Sequence, residues 1–208
     1  MSDPVLLLKA QWAALRVWMA TDAITARLDR PSLLPGWTVA ELIAHNGQSF
    51  IATELTVDDP HGTPQSLRSY VAHYPAASTE IFDATQALAT NLRDDLLGGL
   101  DELSERAFAH LDSLAGPVVR GLRGCITRED FVLTRLIEMV VHADDLARSL
   151  PEAGPAPLFD RAVALVSDAF ARAYAEVTGT PPSYPPGLPW IRLAAGRDPS
   201  PDPALPLL

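Results

Sequence analysis

Arg135-Leu136-Ile137-Glu138-Met139-Val140-Val141-His142-Ala143-Asp144-Asp145-Leu146 reads as the middle of one helix, and its apolar residues decide where that helix sits. Leu133, Leu136, Ile137 and Val140 make one stripe, and Val132, Met139 and Leu146 carry apolar character beyond a single face. The helix is thus apolar on more than one side. Through it runs a narrow polar line, Arg135, Glu138, His142 and Asp145, at intervals of three, four and three residues. At about 100° per residue these side chains point the same way.

Working outward, Thr127 with Asp130 offers an N-cap, so the focal helix is predicted over residues 128–150. Upstream, residues 115–125 are punctuated by Gly116, Gly121 and Gly124 and form a loop or a small extended segment. Residues 66–100 look helical, with Pro75 as a kink and Gly98-Gly99 as the stop, and a shorter amphipathic piece covers 100–114. Thr38 with Glu41 makes a capping box that opens a helix over residues 39–55, with Trp37 placed as its hydrophobic staple. Val5, Leu8, Trp12, Leu15 and Met19 give the buried stripe of a first helix over residues 4–28. Downstream, residues 158–177 form a last helix. Twelve of the 19 prolines lie from Pro151 onward, and most of those follow Thr180. Residues 190–197 suit a short strand or an apolar strap, and residues 198–208 a loose tail. The pattern predicts an all-α fold: an antiparallel four-helix bundle over residues 1–180, with an extra C-terminal helix, then a short proline-rich, partly extended tail over 181–208.

Composition narrows the function classes. The chain has 208 residues, of which 48% are hydrophobic, enough for one real core. Its net charge of −10 disfavours a nucleic-acid or anionic-membrane partner, since no basic stripe is present to neutralise phosphates. No apolar run approaches the ~18 residues that a membrane span needs. Cys125 is the single cysteine, so no internal disulfide forms and a reducing cytoplasm is the expected setting. Met1-Ser2-Asp3-Pro4 lacks a basic region ahead of its apolar residues, so no signal peptide is expected.

The polar line admits two readings. Lying opposite the Leu133, Leu136, Ile137, Val140 stripe, it fits a solvated face. Glu138 and His142, at i and i+4, also fit half of a metal site that needs at least one further ligand from another helix. Among the remaining histidines, His45 is the best third ligand by elimination. It sits in a well-capped helix, whereas His61 lies in a loop and His73 and His110 lack a clearly capped helix. Two imidazoles and a carboxylate suit zinc and leave an open position. Cys125, near a helix N-terminus, has a setting that lowers a thiol pKa, but no histidine is patterned beside it and a small buried residue is the simpler role. Phosphate-loop, nucleophile-elbow and dinucleotide fingerprints are absent from the sequence.

Leu34-Pro35-Gly36-Trp37-Thr38-Val39-Ala40-Glu41-Leu42-Ile43-Ala44-His45, together with Arg135-x-x-Glu138-x-x-x-His142-x-x-Asp145-Leu146, resembles the mycothiol-dependent maleylpyruvate isomerase family. That family belongs to the DinB-like metal-binding four-helix bundles. The resemblance extends in layout over about residues 4–180, and these two segments are its specific part. It implies that His45, Glu138 and His142 are metal ligands and that the polar line faces the bundle interior. It implies zinc or another divalent metal, mycothiol as thiol co-substrate, a small-molecule substrate and an actinobacterial source. Fuller members carry a second domain resembling sterol carrier proteins, of which residues 181–208 look like a remnant. Arg192 and Arg197 are the residues there with a chance of reaching the site.

The function expected from these residues is a divalent-metal- and thiol-dependent isomerase or S-transferase, acting as a monomer or homodimer. Asp145 is expected to orient a ligand histidine, and Arg135 to pair with Glu138 or bind a substrate carboxylate. A metal-dependent hydrolase on the same bundle and a non-enzymatic binding or regulatory module are the alternatives. Thiol dependence separates the first from the isomerase, and indifference to metal would mark the second.

Overall fold

The structure is a computed structural model and describes residues 3–208. Four long helices form the body: α1 (Pro4–Met19), α3 (Val39–Glu54), α6 (Leu96–Ser113) and α7 (Arg128–Ser149). Between α1 and α3 lies the short α2 (Asp22–Thr25), and between α3 and α6 lie α4 (Leu67–Val71) and α5 (Ser78–Asn91). Strands β1 (Val57–Asp58), β2 (Val118–Gly121) and β3 (Gly124–Thr127) pair antiparallel in that order, with Val57 opposite Arg120 and Val119 opposite Ile126. Helix α8 (Asp160–Thr178) and the short α9 (Leu188–Ala194) complete the chain.

Local chemistry explains where the long helices start. Asp3 Oδ1 accepts from Val5 N at 2.9 Å, and Pro4 occupies the first turn of α1. At α3 the predicted capping box is complete: Thr38 Oγ1 accepts from Glu41 N at 3.2 Å and Glu41 Oε2 accepts from Thr38 N at 2.6 Å. At α7, Thr127 Oγ1 accepts from Asp130 N at 3.1 Å.

Helix directions follow from side-chain pairs. Lys9 with Asp112 and Arg16 with Asp101 pair in opposite chain order, so α1 and α6 are antiparallel. Gly47 faces Leu100 and Leu103 while Glu54 pairs with Arg106, so α3 and α6 run the same way, joined by the crossover through α4 and α5. His45 faces Glu138 and His142 while Ser49 faces Arg135, so α3 and α7 are antiparallel. One continuous core runs through all of these elements.

Three expectations change. The first helix ends at Met19 rather than near residue 28, because Thr21 Oγ1 donates to Trp18 O and the chain restarts as α2. Gly98-Gly99 does not stop a helix; both glycines lie in the first turn of α6, and the break comes earlier, around residues 92–95. Asp95 caps α6 by accepting from Gly98 N at 2.9 Å, and a Cβ on Gly98 would fall 2.1 Å from that carboxylate. The glycine is therefore there for the cap. Third, residues 188–194 pack as the apolar strap but as a helix, not as a strand, and the residues after it are not loose. Pro189 sits in the first turn of α9. Trp190 is 1% exposed, stacks on Tyr184 at 5.5 Å and donates from Nε1 to Ser167 O, and Leu207 N donates to Ala194 O at 2.7 Å. Apolar side chains at Trp190, Ile191, Ala194 and Leu207 join the bundle core, which holds this segment against α8.

Candidate metal centre

Helix α7 runs through the middle of the molecule, packed by α1, α3, α8 and the sheet. This removes the solvated-face reading of its polar line. Arg135 and His142 are buried, Asp145 is 0% exposed and Glu138 is half-buried. The line opens onto a cavity of about 370 Å³ between α3, α5 and α7. His45, Glu138 and His142 meet at its wall, each offering a ligand atom, and those atoms lie within 4.8 Å of one another.

The tautomers are set from behind. His142 Nδ1 faces Asp145 Oδ2 at 3.0 Å and His45 Nδ1 faces Thr85 Oγ1 at 3.1 Å. Both Nε2 atoms are thus turned inward, and both lie against Glu138 Oε2, at 3.3 Å from His142 and 3.4 Å from His45. An imidazole whose far nitrogen is held by a carboxylate or hydroxyl is the usual form of a histidine ligand. Asp145 is held in turn by Arg197 Nε, 3.0 Å from each carboxylate oxygen. Trp37 covers His45, with ring centroids 4.9 Å apart.

Charge is distributed unevenly over the three residues. Burial works to raise the Glu138 carboxyl, but hydrogen bonds with His142 and His45 hold it well below the ordinary value. Burial disfavours a charged His142, yet its contacts with Asp145 and Glu138 outweigh burial and push its pKa up to about 9. His45 goes the other way: burial lowers it by more than Glu138 raises it. The trio is thus held apart in charge, Glu138 toward its carboxylate, His142 toward imidazolium and His45 toward the neutral imidazole. Burial also pulls Asp145 upward, but His142 and Arg197 keep it ionised below its ordinary value.

Arg135 stands one turn before Glu138 on the same face and does not pair with it. Its Nε donates to Thr134 Oγ1 at 3.1 Å, Nη1 to Ser49 Oγ at 3.4 Å and Nη2 to Tyr74 OH at 3.0 Å. Burial raises the Tyr74 pKa, so that partner is neutral. Of the other residues singled out, Arg197 reaches the cavity and Asp145, whereas Arg192 pairs with Asp144 through two 2.7 Å contacts. Cys125 sits on β3 beside Asp59 at 3.1 Å, and that carboxylate raises the thiol pKa, opposite to the expected lowering. His110 is spent on Thr56 O at 2.6 Å, His73 lies 3.3 Å from Tyr70 O, and His61 is exposed. Thr85, Ser49 and Tyr74 were not legible as partners of the site, because nothing in their local pattern marks them and they come from distant parts of the chain.

A comparison with protein-family models matches residues 8–147 to the mycothiol maleylpyruvate isomerase N-terminal domain. The chain belongs to that family. Among solved structures, the crystal structure of the mycothiol-dependent maleylpyruvate isomerase is similar at a TM-score of 0.61 and 18% identity, covering 94% of this chain and 88% of that one. At that identity the likeness speaks for the fold, and it extends past the family match into the C-terminal segment. A comparison with curated proteins finds no match. In this member of the family the matched region carries His45, Glu138 and His142, while Arg197 comes from beyond it. No helix among the described residues is long and apolar enough to cross a membrane.

Proposed function

We propose that this protein is a divalent-metal-dependent enzyme that uses a low-molecular-weight thiol, mycothiol by its family, to isomerise a small molecule or to transfer the thiol to it. The observation that carries the reading is the convergence of two inward-turned Nε2 atoms and one carboxylate oxygen within 4.8 Å at the wall of a cavity. The donor set of two imidazoles and a carboxylate fits zinc with a position left open. A zinc ion held there would supply the positive charge that keeps a thiol deprotonated at neutral pH.

The chain's own residues do the rest. Asp145 and Thr85 hold the two imidazoles in their tautomers, and Arg197 holds Asp145. Trp37, Ile81 and Val141 line the cavity and exclude water beside the ligands. His142 would have to give up its Nε2 proton for that nitrogen to hold an ion.

The test is metal content by mass spectrometry on untagged protein, alongside His45→Ala and His142→Ala. Close to one zinc per chain in the wild type and almost none in either variant is expected, followed by turnover that needs added thiol. Wild-type protein that purifies without metal and shows no thermal shift with zinc overturns the reading.

A further inference from the structure

We infer that the outer face of α1 is the interface of a homodimer, in which α1 packs antiparallel on α1 of a second copy about a two-fold axis that passes between Ala10 and Ala13.

The face is apolar and uncovered. The exposed residues of α1 are Leu6, Ala10, Ala13 and Val17, and none is polar. Leu6 is 63% exposed and Val17 74%, more than any other large apolar side chain among the described residues. The outward face of a helix in a globular protein ordinarily carries charged or polar residues. The neighbouring helices follow that rule, with Glu102, Glu105 and Arg106 exposed on α6 and Asp160, Asp168 and Arg172 exposed on α8. The two charges of α1, Lys9 and Arg16, are turned aside to Asp112 and Asp101 of α6. On the other flank, Phe159 N donates to Gln11 Oε1 at 2.9 Å, which brings the exposed Phe159 beside the same face. Among the described residues, none of α1 lines the metal-centre cavity, so the inference is independent of the proposed function.

The order of the residues suits a second copy of the chain. Leu6, Ala10, Ala13 and Val17 are spaced four, three and four, the same in either direction. A two-fold contact pairs residue i with residue j and j with i. With antiparallel helices, Leu6 then meets the partner's Val17, and Ala10 meets the partner's Ala13. Large side chains meet at both ends, and the small pair in the middle lets the helix axes approach to about 8 Å, the short end of the usual range.

The flanks agree with the same axis, which sets α6 against α6 and α8 against α8. Lys9 faces the partner's Ala14, two residues or about 3 Å along the helix from the partner's Arg16. Each cation brings its own aspartate, so Lys9 comes beside the partner's Asp101 and Asp112 beside the partner's Arg16, alternating in sign. Phe159, level with Gln11, lies close to the axis and meets the partner's Phe159. The area is sufficient for a reversible dimer. A face ~24 Å long and, with a helix to each side, ~20 Å wide covers about 500 Å² per copy, close to the ~1,000 Å² total at which specific interfaces begin.

Sedimentation equilibrium of the full chain from micromolar to millimolar concentration tests this. The mass of the wild type is expected to rise from one chain toward two. Val17→Asp, Ala10→Glu and Ala13→Lys, each made alone, are expected to raise the dissociation constant roughly 10-fold or more. Mixing the Ala10→Glu chain with the Ala13→Lys chain is expected to restore association, because the two-fold register sets the two new charges opposite each other. All three positions are exposed, and far-UV circular dichroism confirms that each variant folds. A wild type that stays monomeric at every concentration, self-association that Val17→Asp leaves unchanged, or a mixture that associates no better than its parts overturns the proposal.

Discussion

At the scale of single residues, His142 is where a proton and an ion would compete at the proposed centre. Its folded pKa of about 9 lies above the ordinary 6.5, so the metal-free fold binds that proton more tightly than the unfolded chain does. The resulting stabilisation is complete below pH 6.5 and fades as pH rises through 9. At the proposed centre a zinc ion would have to displace the same proton, so its affinity would run the other way. A rise of ~tenfold per pH unit from 6.5 to 9 is expected in chelator-competition titrations, with one proton released per ion bound. A flat profile would place the ion elsewhere. Asp145 controls the same nitrogen from behind. Replacing it in Asp145→Asn removes the charge that holds His142 Nδ1 and is expected to weaken zinc binding about 10- to 100-fold. The same competition assay reads it, with far-UV circular dichroism confirming the fold.

At the scale of elements, α7 does two jobs that sequence periodicity separates and packing combines. Its apolar stripe joins the core, while its polar line lines the cavity. Helix α3 supplies His45 across from it, and α5 supplies both Thr85 and one wall. The C-terminal segment acts as a strap. Arg192 with Asp144, Arg197 with Asp145 and Arg148 with Asp198 tie it to the end of α7 that carries His142. Its apolar anchor is Trp190. Trp190→Ala is expected to cost about 3–5 kcal/mol of stability, because the pocket between Tyr174, Tyr184 and α8 cannot collapse around an alanine. Thermal unfolding measures it. A loss below about 1 kcal/mol would mean that this segment is only loosely attached.

At the scale of the whole molecule, the acidic balance and the buried site are compatible because they occupy different places. The net charge of −10 belongs to the chain as a whole, whereas the cavity is lined by Arg135, Arg123 and Arg197 against Glu80 and Glu138, around three candidate ligand residues. The parallel α3–α6 pair also matters at this scale. The crossover it demands is the segment that carries α4 and α5, and these close the cavity on the side that a simple up-and-down bundle would leave open.

The sequence by itself determined most of the helices and their caps, and pointed to the three residues of the candidate site. Periodicity, the Thr38–Glu41 box and the Thr127 cap are local, and local chemistry acts the same way in any fold. It also placed Glu138 and His142 on one face. What only the tertiary structure decided was which way that face looks. A polar line opposite an apolar stripe reads as surface, until α3, α5 and the C-terminal strap cover it from parts of the chain that no local pattern connects. The same holds for Arg135. That it has no acidic partner among the described residues is a statement about its neighbours in three dimensions. The glycines at 98 and 99 make the point in reverse: read as a helix stop, they leave room for Asp95 to cap a helix, a contact that exists only once the backbone has turned.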